Sequence, residues 1–159
     1  MDDYGDGSLK TRAKASAPAK VILLGEHFVV HGEPAVVLAI DRRAKVTVET
    51  RSDTKIFIRS EDMGTSGFFV NDQFHPQTGG GEAKKKLEPA YAVAREIIRK
   101  CGEEVGVNIR IESSIPVAAG LGSSAAVSVA LAAALYSLLE SDGSKENIFP
   151  VSYTHLTLP

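Results

Sequence analysis

At 159 residues, 43% of them hydrophobic, the chain is long enough to bury one sizeable core, and a single soluble globular unit is expected. Its 18 basic and 20 acidic side chains leave a net charge of −2, and no run of like charge exceeds Lys84-Lys85-Lys86, so a polyanion-binding surface and a nucleic-acid partner are not expected. The lone Cys101 permits no intramolecular disulfide and no cysteine-rich zinc site, which fits a reducing, cytoplasmic setting.

The N-terminus, MDDYGDGSLKTRAK, has acids where an export signal would have bases and no apolar segment behind them. Residues 12–49 are rich in Val, Ile and Ala. Their short apolar runs, broken at Gly25, Gly32 and Pro34, predict strands joined by tight turns. AKVTVET alternates with Val46 and Val48 inward, and KIFIRS repeats the pattern as its predicted hairpin partner. Residues 61–81 crowd polar and glycine turn-formers together and predict a loop with one short strand at 68–70.

Leu87, Tyr91, Ala94, Ile98 and Cys101 recur at helical spacing and predict an amphipathic helix over 82–100, whose firm part starts near Glu88 because of Pro89. Gly102 ends it. VGVNIRIES then alternates as a half-buried strand over 105–112, and the run 125–139 predicts a buried helix. That run is shorter than the roughly 20 residues that span a bilayer, so no membrane partner is expected. The order of strands, helix, strand, loop and helix is an α+β layout. The tail PVSYTHLTLP follows no turn or cap logic, and residues 150–159 are expected to be foreign to the natural protein.

Two glycines one residue apart, Gly120 and Gly122, precede Ser123, Ser124 and the apolar helix. Glycines admit positive φ and close approach of a bulky anion to backbone N–H groups, and a helix N-terminus adds unpaired N–H donors and the positive end of its dipole. The predicted guest is phosphate. The serine hydroxyls can cap the helix or ligate Mg²⁺. Gly-Leu-Gly alone is equally a tight turn, with Ser123 as an ordinary N-cap. There is no P-loop signature, and GLGSSA satisfies G-x-G-x-x-A without the second strand that a dinucleotide fold requires. His27 and His31 have the spacing of a zinc pair, but on a stretch whose valines favour strand over the helix that pair needs.

The whole of PVAAGLGSSAA resembles the ATP-binding motif of the GHMP kinases, and APAKVILLGEHFVVHGEPAVVLAI, residues 17–40, resembles that family's N-terminal motif, in the same order along the chain. The resemblance covers most of residues 14–139. It implies the ribosomal-protein-S5-domain-2-like N-terminal domain of these kinases over residues 12–149 and transfer of phosphate from ATP, with Mg²⁺, to a small alcohol. Gly-Glu-His combined with Val-Val-His-Gly and Pro-Ala points within the family to mevalonate, through its 5-hydroxyl. Phosphomevalonate or homoserine as acceptor, and a nucleotide-binding module without catalysis, are the alternatives.

By position, the resemblance implies that Pro116, Val117, Ala118, Ala119, Gly120, Leu121, Gly122, Ser123, Ser124, Ala125 and Ala126 wrap the ATP phosphates. Ser124 would reach Mg²⁺, and Lys20 would stabilise negative charge beside the substrate hydroxyl as the catalytic ammonium. Glu26 and His27 take substrate-side positions. The family's catalytic aspartate, its acidic metal partner and its third, glycine-rich motif are expected beyond Leu139. The chain alone is therefore expected to be inactive, with its 125–139 helix uncovered, and a homodimer is left open for a full-length protein.

Overall fold

The computed structural model describes residues 10–116 and 119–140. In chain order the elements are β1 (Arg12–Leu24), a 3₁₀ turn at Val29–His31, β2 (Val36–Arg51), β3 (Ile56–Ser60), β4 (Thr65–Val70) and β5 (Gln73–Thr78). There follow a 3₁₀ turn at Gly80–Glu82, α1 (Ala83–Lys100), β6 (Gly106–Ser113) and α2 (Ser123–Leu138). The six strands form one sheet in the order β1-β2-β6-β3-β4-β5, antiparallel throughout except where β3 runs parallel to β6.

Alternation along the strands decides which face is covered. Val46, Val48, Ile58, Val107, Ile109 and Ile111 point to one side and are buried there beneath Leu87, Val93 and Ile97 of α1 and Leu131 and Leu135 of α2. The opposite face carries the charged side chains, where Arg12 pairs with Glu49 at 3.1 Å and Arg110 with Glu61 at 2.9 Å. The result is an α+β layer of two helices on one face of a mixed sheet. Helix α2 is apolar on nearly all sides because it is enclosed by β1, β2 and α1. Ala126, Ala130, Ala132 and Ala134 of α2 are buried in the same core as Ala13, Ala17 and Ala19 of β1, which the helix contacts. No helix among the described residues is long and apolar enough to cross a membrane.

Several expectations need correction. β2 and β3 are not hairpin partners, since β6 lies between them; Arg51 Nη1 at the end of β2 donates to Asn108 Oδ1 of β6 at 2.7 Å. The expected loop at 61–81 is largely the β4–β5 hairpin, turning at Asn71 and Asp72, whose φ angles of 47° and 64° are of the sign a two-residue type I′ turn needs at both central positions. Helix α1 begins at Ala83 rather than near Glu88, with Pro89 inside it. That proline removes only the N–H that would bond the Lys85 carbonyl, and the buried stripe Leu87, Ala90, Val93, Ala94 and Ile97 holds the helix on the sheet regardless.

Helix α2 starts at Ser123 and is covered, contrary to expectation. The exposed apolar surface is instead at the far end of the β1–β2 pair, where Leu24 is 70%, Phe28 65% and Val30 77% exposed. Cys101 ends α1 half-buried against the core. The tail at 150–159 lies outside the described residues.

Candidate functional site

β1 is an edge strand, paired with β2 on one side only. Proline cannot donate to a ladder, and at Pro18 the register breaks: Pro18 faces Arg43, but Ala19 faces Ile40, leaving Asp41 and Arg42 as extra residues on β2. Two residues further on, the Lys20 N–H is bonded to the Leu121 carbonyl at 3.0 Å, which ties the loop before α2 to the strand edge. The start of that loop is tied as well. Ser114 donates its N–H to the Arg43 carbonyl at 3.0 Å, while the Arg43 N–H donates to Ser114 Oγ at 2.9 Å, and buried Ile115 anchors the next position. The glycine-serine loop is thus fixed to β2 at one end and β1 at the other.

At its far end Gly122 takes φ 71° and ψ 32°, the left-handed region that favours glycine, and serves as N-cap of α2. The first helical bond runs from the Ala126 N–H to the Gly122 carbonyl at 2.9 Å, so the N–H groups of Ser123, Ser124 and Ala125 have no carbonyl one turn earlier. The reading of Ser123 as N-cap is therefore corrected. Neither serine hydroxyl makes a hydrogen bond among the described residues; Ser123 is half-buried and Ser124 exposed. The stem of Lys20 lies over Gly122, where a Cβ would come within 3.1 Å of Lys20 Cγ.

Beyond the two serines opens a cleft of about 250 Å³ lined by Asp62, Met63, Lys86, Pro89, Ala90, Ile111, Ser123, Ser124, Val127 and Ser128. Asp62 is held in place by accepting the Ser113 N–H at 2.8 Å. No spacing in the sequence singles out Asp62, Met63, Lys86 or Pro89, which reach the cleft from the β3–β4 turn and from α1 only through the fold. Unpaired amides, free hydroxyls, a helix N-terminus and an ammonium in one place suit a bound polyanion, and the exposed Ser124 hydroxyl is one hard-oxygen donor for a divalent cation beside it.

The structure brings Lys20, Leu121, Gly122, Ser123 and Ser124 together. It does not add Glu26 and His27. Both lie exposed in the turn after β1, where the Gly25 carbonyl accepts the N–H groups of Phe28 and Val29, and neither side chain makes a hydrogen bond or ion pair among the described residues. Pro116, Ala119 and Gly120 are exposed, Ala125 is half-buried, Ala126 is buried in the helix, and Val117 and Ala118 lie outside the described residues.

Comparison with known proteins gives a consistent result. The family described as GHMP kinases N terminal domain matches residues 88–154. Mevalonate kinase of Pyrococcus abyssi is 42% identical over 137 residues, 84% of this chain and 41% of that protein. The crystal structure of Methanococcus jannaschii mevalonate kinase superposes with a TM-score of 0.72 at 22% identity, covering 96% of this chain and 47% of that one. That of the L. major mevalonate kinase in complex with R-mevalonate gives 0.68 at 23% identity, covering 94% and 43%. The chain thus spans about two fifths of the length of the relatives it matches.

Proposed function

From a chain that belongs to the GHMP kinases and carries their N-terminal domain, we propose a protein that transfers the γ-phosphoryl group of ATP to the 5-hydroxyl of mevalonate, an early step towards isoprenoids. The observation that carries this reading is Lys20 lying across the N-terminus of α2, with an ammonium, free amides and two free hydroxyls converging on one loop. The 42% identity to an archaeal mevalonate kinase supports mevalonate as the acceptor over the other small alcohols of the family.

In this reading the loop from Pro116 to Ala126 takes the phosphates. Its amides offset their charge, and the cleft behind Ser124 takes the nucleoside end between Met63, Pro89, Ala90 and Val127. Mg²⁺, when bound, would neutralise phosphate oxygens, with Ser124 its ligand from this chain. Lys20 stabilises the charge that gathers on the γ-phosphoryl oxygens as the acceptor oxygen bonds to phosphorus and the bond to the ADP oxygen breaks. Glu26 and His27, on the turn beyond β1, are the candidate acceptor-side contacts. The acceptor proton goes to a base outside the residues gathered here.

ADP release by the full-length protein, measured with mevalonate, phosphomevalonate, homoserine and galactose in parallel, tests the proposal. Turnover dependent on mevalonate is expected. Preference for another acceptor overturns the substrate, and nucleotide binding without ADP release from any of them overturns the kinase.

A further inference from the structure

We infer that Gly122 is a positioning residue for Lys20, its missing side chain forming the groove that holds the lysine stem. A Cβ at Gly122 would stand 3.1 Å from Lys20 Cγ, 3.3 Å from Cε and 3.7 Å from Cδ, so the stem runs along the glycine from its second carbon to its last. The contact is reinforced one residue earlier, where the Leu121 carbonyl accepts the Lys20 N–H at 3.0 Å. Backbone and side chain of Lys20 are thus both seated on Leu121-Gly122.

A lysine stem in solution samples many rotamers, and laying it against a backbone fixed at both ends removes most of them before any ligand arrives. The loop that faces phosphate and the ammonium that meets it then keep one relative geometry. Close approach of phosphate to the backbone does not by itself call for this contact, so Gly122 serves a second purpose. The catalytic consequence rests on the proposed kinase reading; the packing does not.

Gly120 supplies the internal control. Its φ of 69° is close to the 71° of Gly122, so alanine meets a positive-φ penalty at either position, yet a Cβ at Gly120 would have no described atom within 4 Å. In the full-length protein, Gly122→Ala is expected to lower kcat roughly tenfold more than Gly120→Ala, with ATP affinity changing to a similar extent in both. Gly122→Asn takes the left-handed region more readily and carries the same Cβ, and it replaces alanine if that variant fails to fold.

The cycle with Lys20→Ala reads the packing without activity. Gly122→Ala is expected to lower the thermal midpoint by about 2–4 °C more than Gly120→Ala when Lys20 is present, and by the same amount as Gly120→Ala when the stem has been removed. Equal effects of the two glycine substitutions in the presence of Lys20, or additivity between positions 20 and 122, would overturn the inference. A full-length protein without kinase activity that still shows the thermal coupling would leave the groove standing and remove only its catalytic use.

Discussion

Ser123 and Ser124 are neighbours with the same chemistry and different surroundings. The helix N-cap is Gly122, so neither hydroxyl is spent on capping, and the first serine is half-buried while the second is open to the loop. Ser124→Ala in the full-length protein is accordingly expected to weaken Mg²⁺-dependent turnover by at least tenfold more than Ser123→Ala, read as activity against Mg²⁺ concentration. Equal losses would return both serines to a structural role. The pair was legible in the sequence because glycine next to serine before an apolar run has few uses, but its division of labour was not. Which serine is exposed depends on where the helix begins, and the start at Ser123 rather than two residues later is set by the left-handed Gly122.

The β4–β5 hairpin is the element that the sequence concealed. Asn71-Asp72 lacks the glycine of the commonest two-residue turns, and Pro76 argues against a strand unless the strand lies at an edge, as β5 does. Its turn is secured from α1. Tyr91 stacks on Phe69 with ring centroids 3.9 Å apart, its hydroxyl donates to Asp72 Oδ1 at 2.5 Å, and Arg95 reaches Asp72 Oδ2 at 2.9 Å. Burial, followed by the bond to Asp72, pushes the Tyr91 phenol from 10.0 up to about 12.

The sign of the pH effect follows. A group whose folded pKa is raised contributes its full stabilisation below the unfolded value and loses it as pH rises through the folded one, so this contribution holds to about pH 10 and is gone by about pH 12. Tyr91→Phe keeps the stacked ring and loses one hydrogen bond to a carboxylate, a cost of about 1 kcal/mol near neutrality. The comparison of wild type and variant by chemical denaturation from pH 8 to pH 12 is expected to show that difference shrinking through the upper two units; a constant difference would mean that the folded phenol titrates where the unfolded one does and is not raised by its surroundings.

Over the whole molecule, the layered architecture was readable from period-two and helical spacing, because half-buried strands and α1 wear their faces openly. Strand order was not. Pairing β6 with both β2 and β3 depends on the crossover through α1, and a connection that long leaves no trace in local pattern. The candidate site divides in the same way: Lys20 and the loop are motif residues, whereas the cleft residues Asp62, Met63 and Lys86 meet them only through the fold.

The exposed surface has a consequence of its own. Leu24, Phe28 and Val30, with Val36, Val37 and Leu38, leave an apolar patch at the end of β1–β2, so the purified 159-residue chain is expected to self-associate. Light scattering of Leu24→Lys/Val30→Lys is expected to show a shift towards monomer; an unchanged mass would place the contact elsewhere.

Strand edge, loop and helix N-terminus converge on Lys20, and phosphoryl transfer from ATP to mevalonate by full-length Lys20→Met tests that convergence most directly. Methionine keeps much of the stem over Gly122 and removes the charge. If the ammonium acts where charge develops on the transferred group, kcat falls roughly 10²–10³-fold while ATP affinity stays within a few-fold. A normal kcat with only a raised KM for ATP would contradict this and reduce Lys20 to a holder of phosphate.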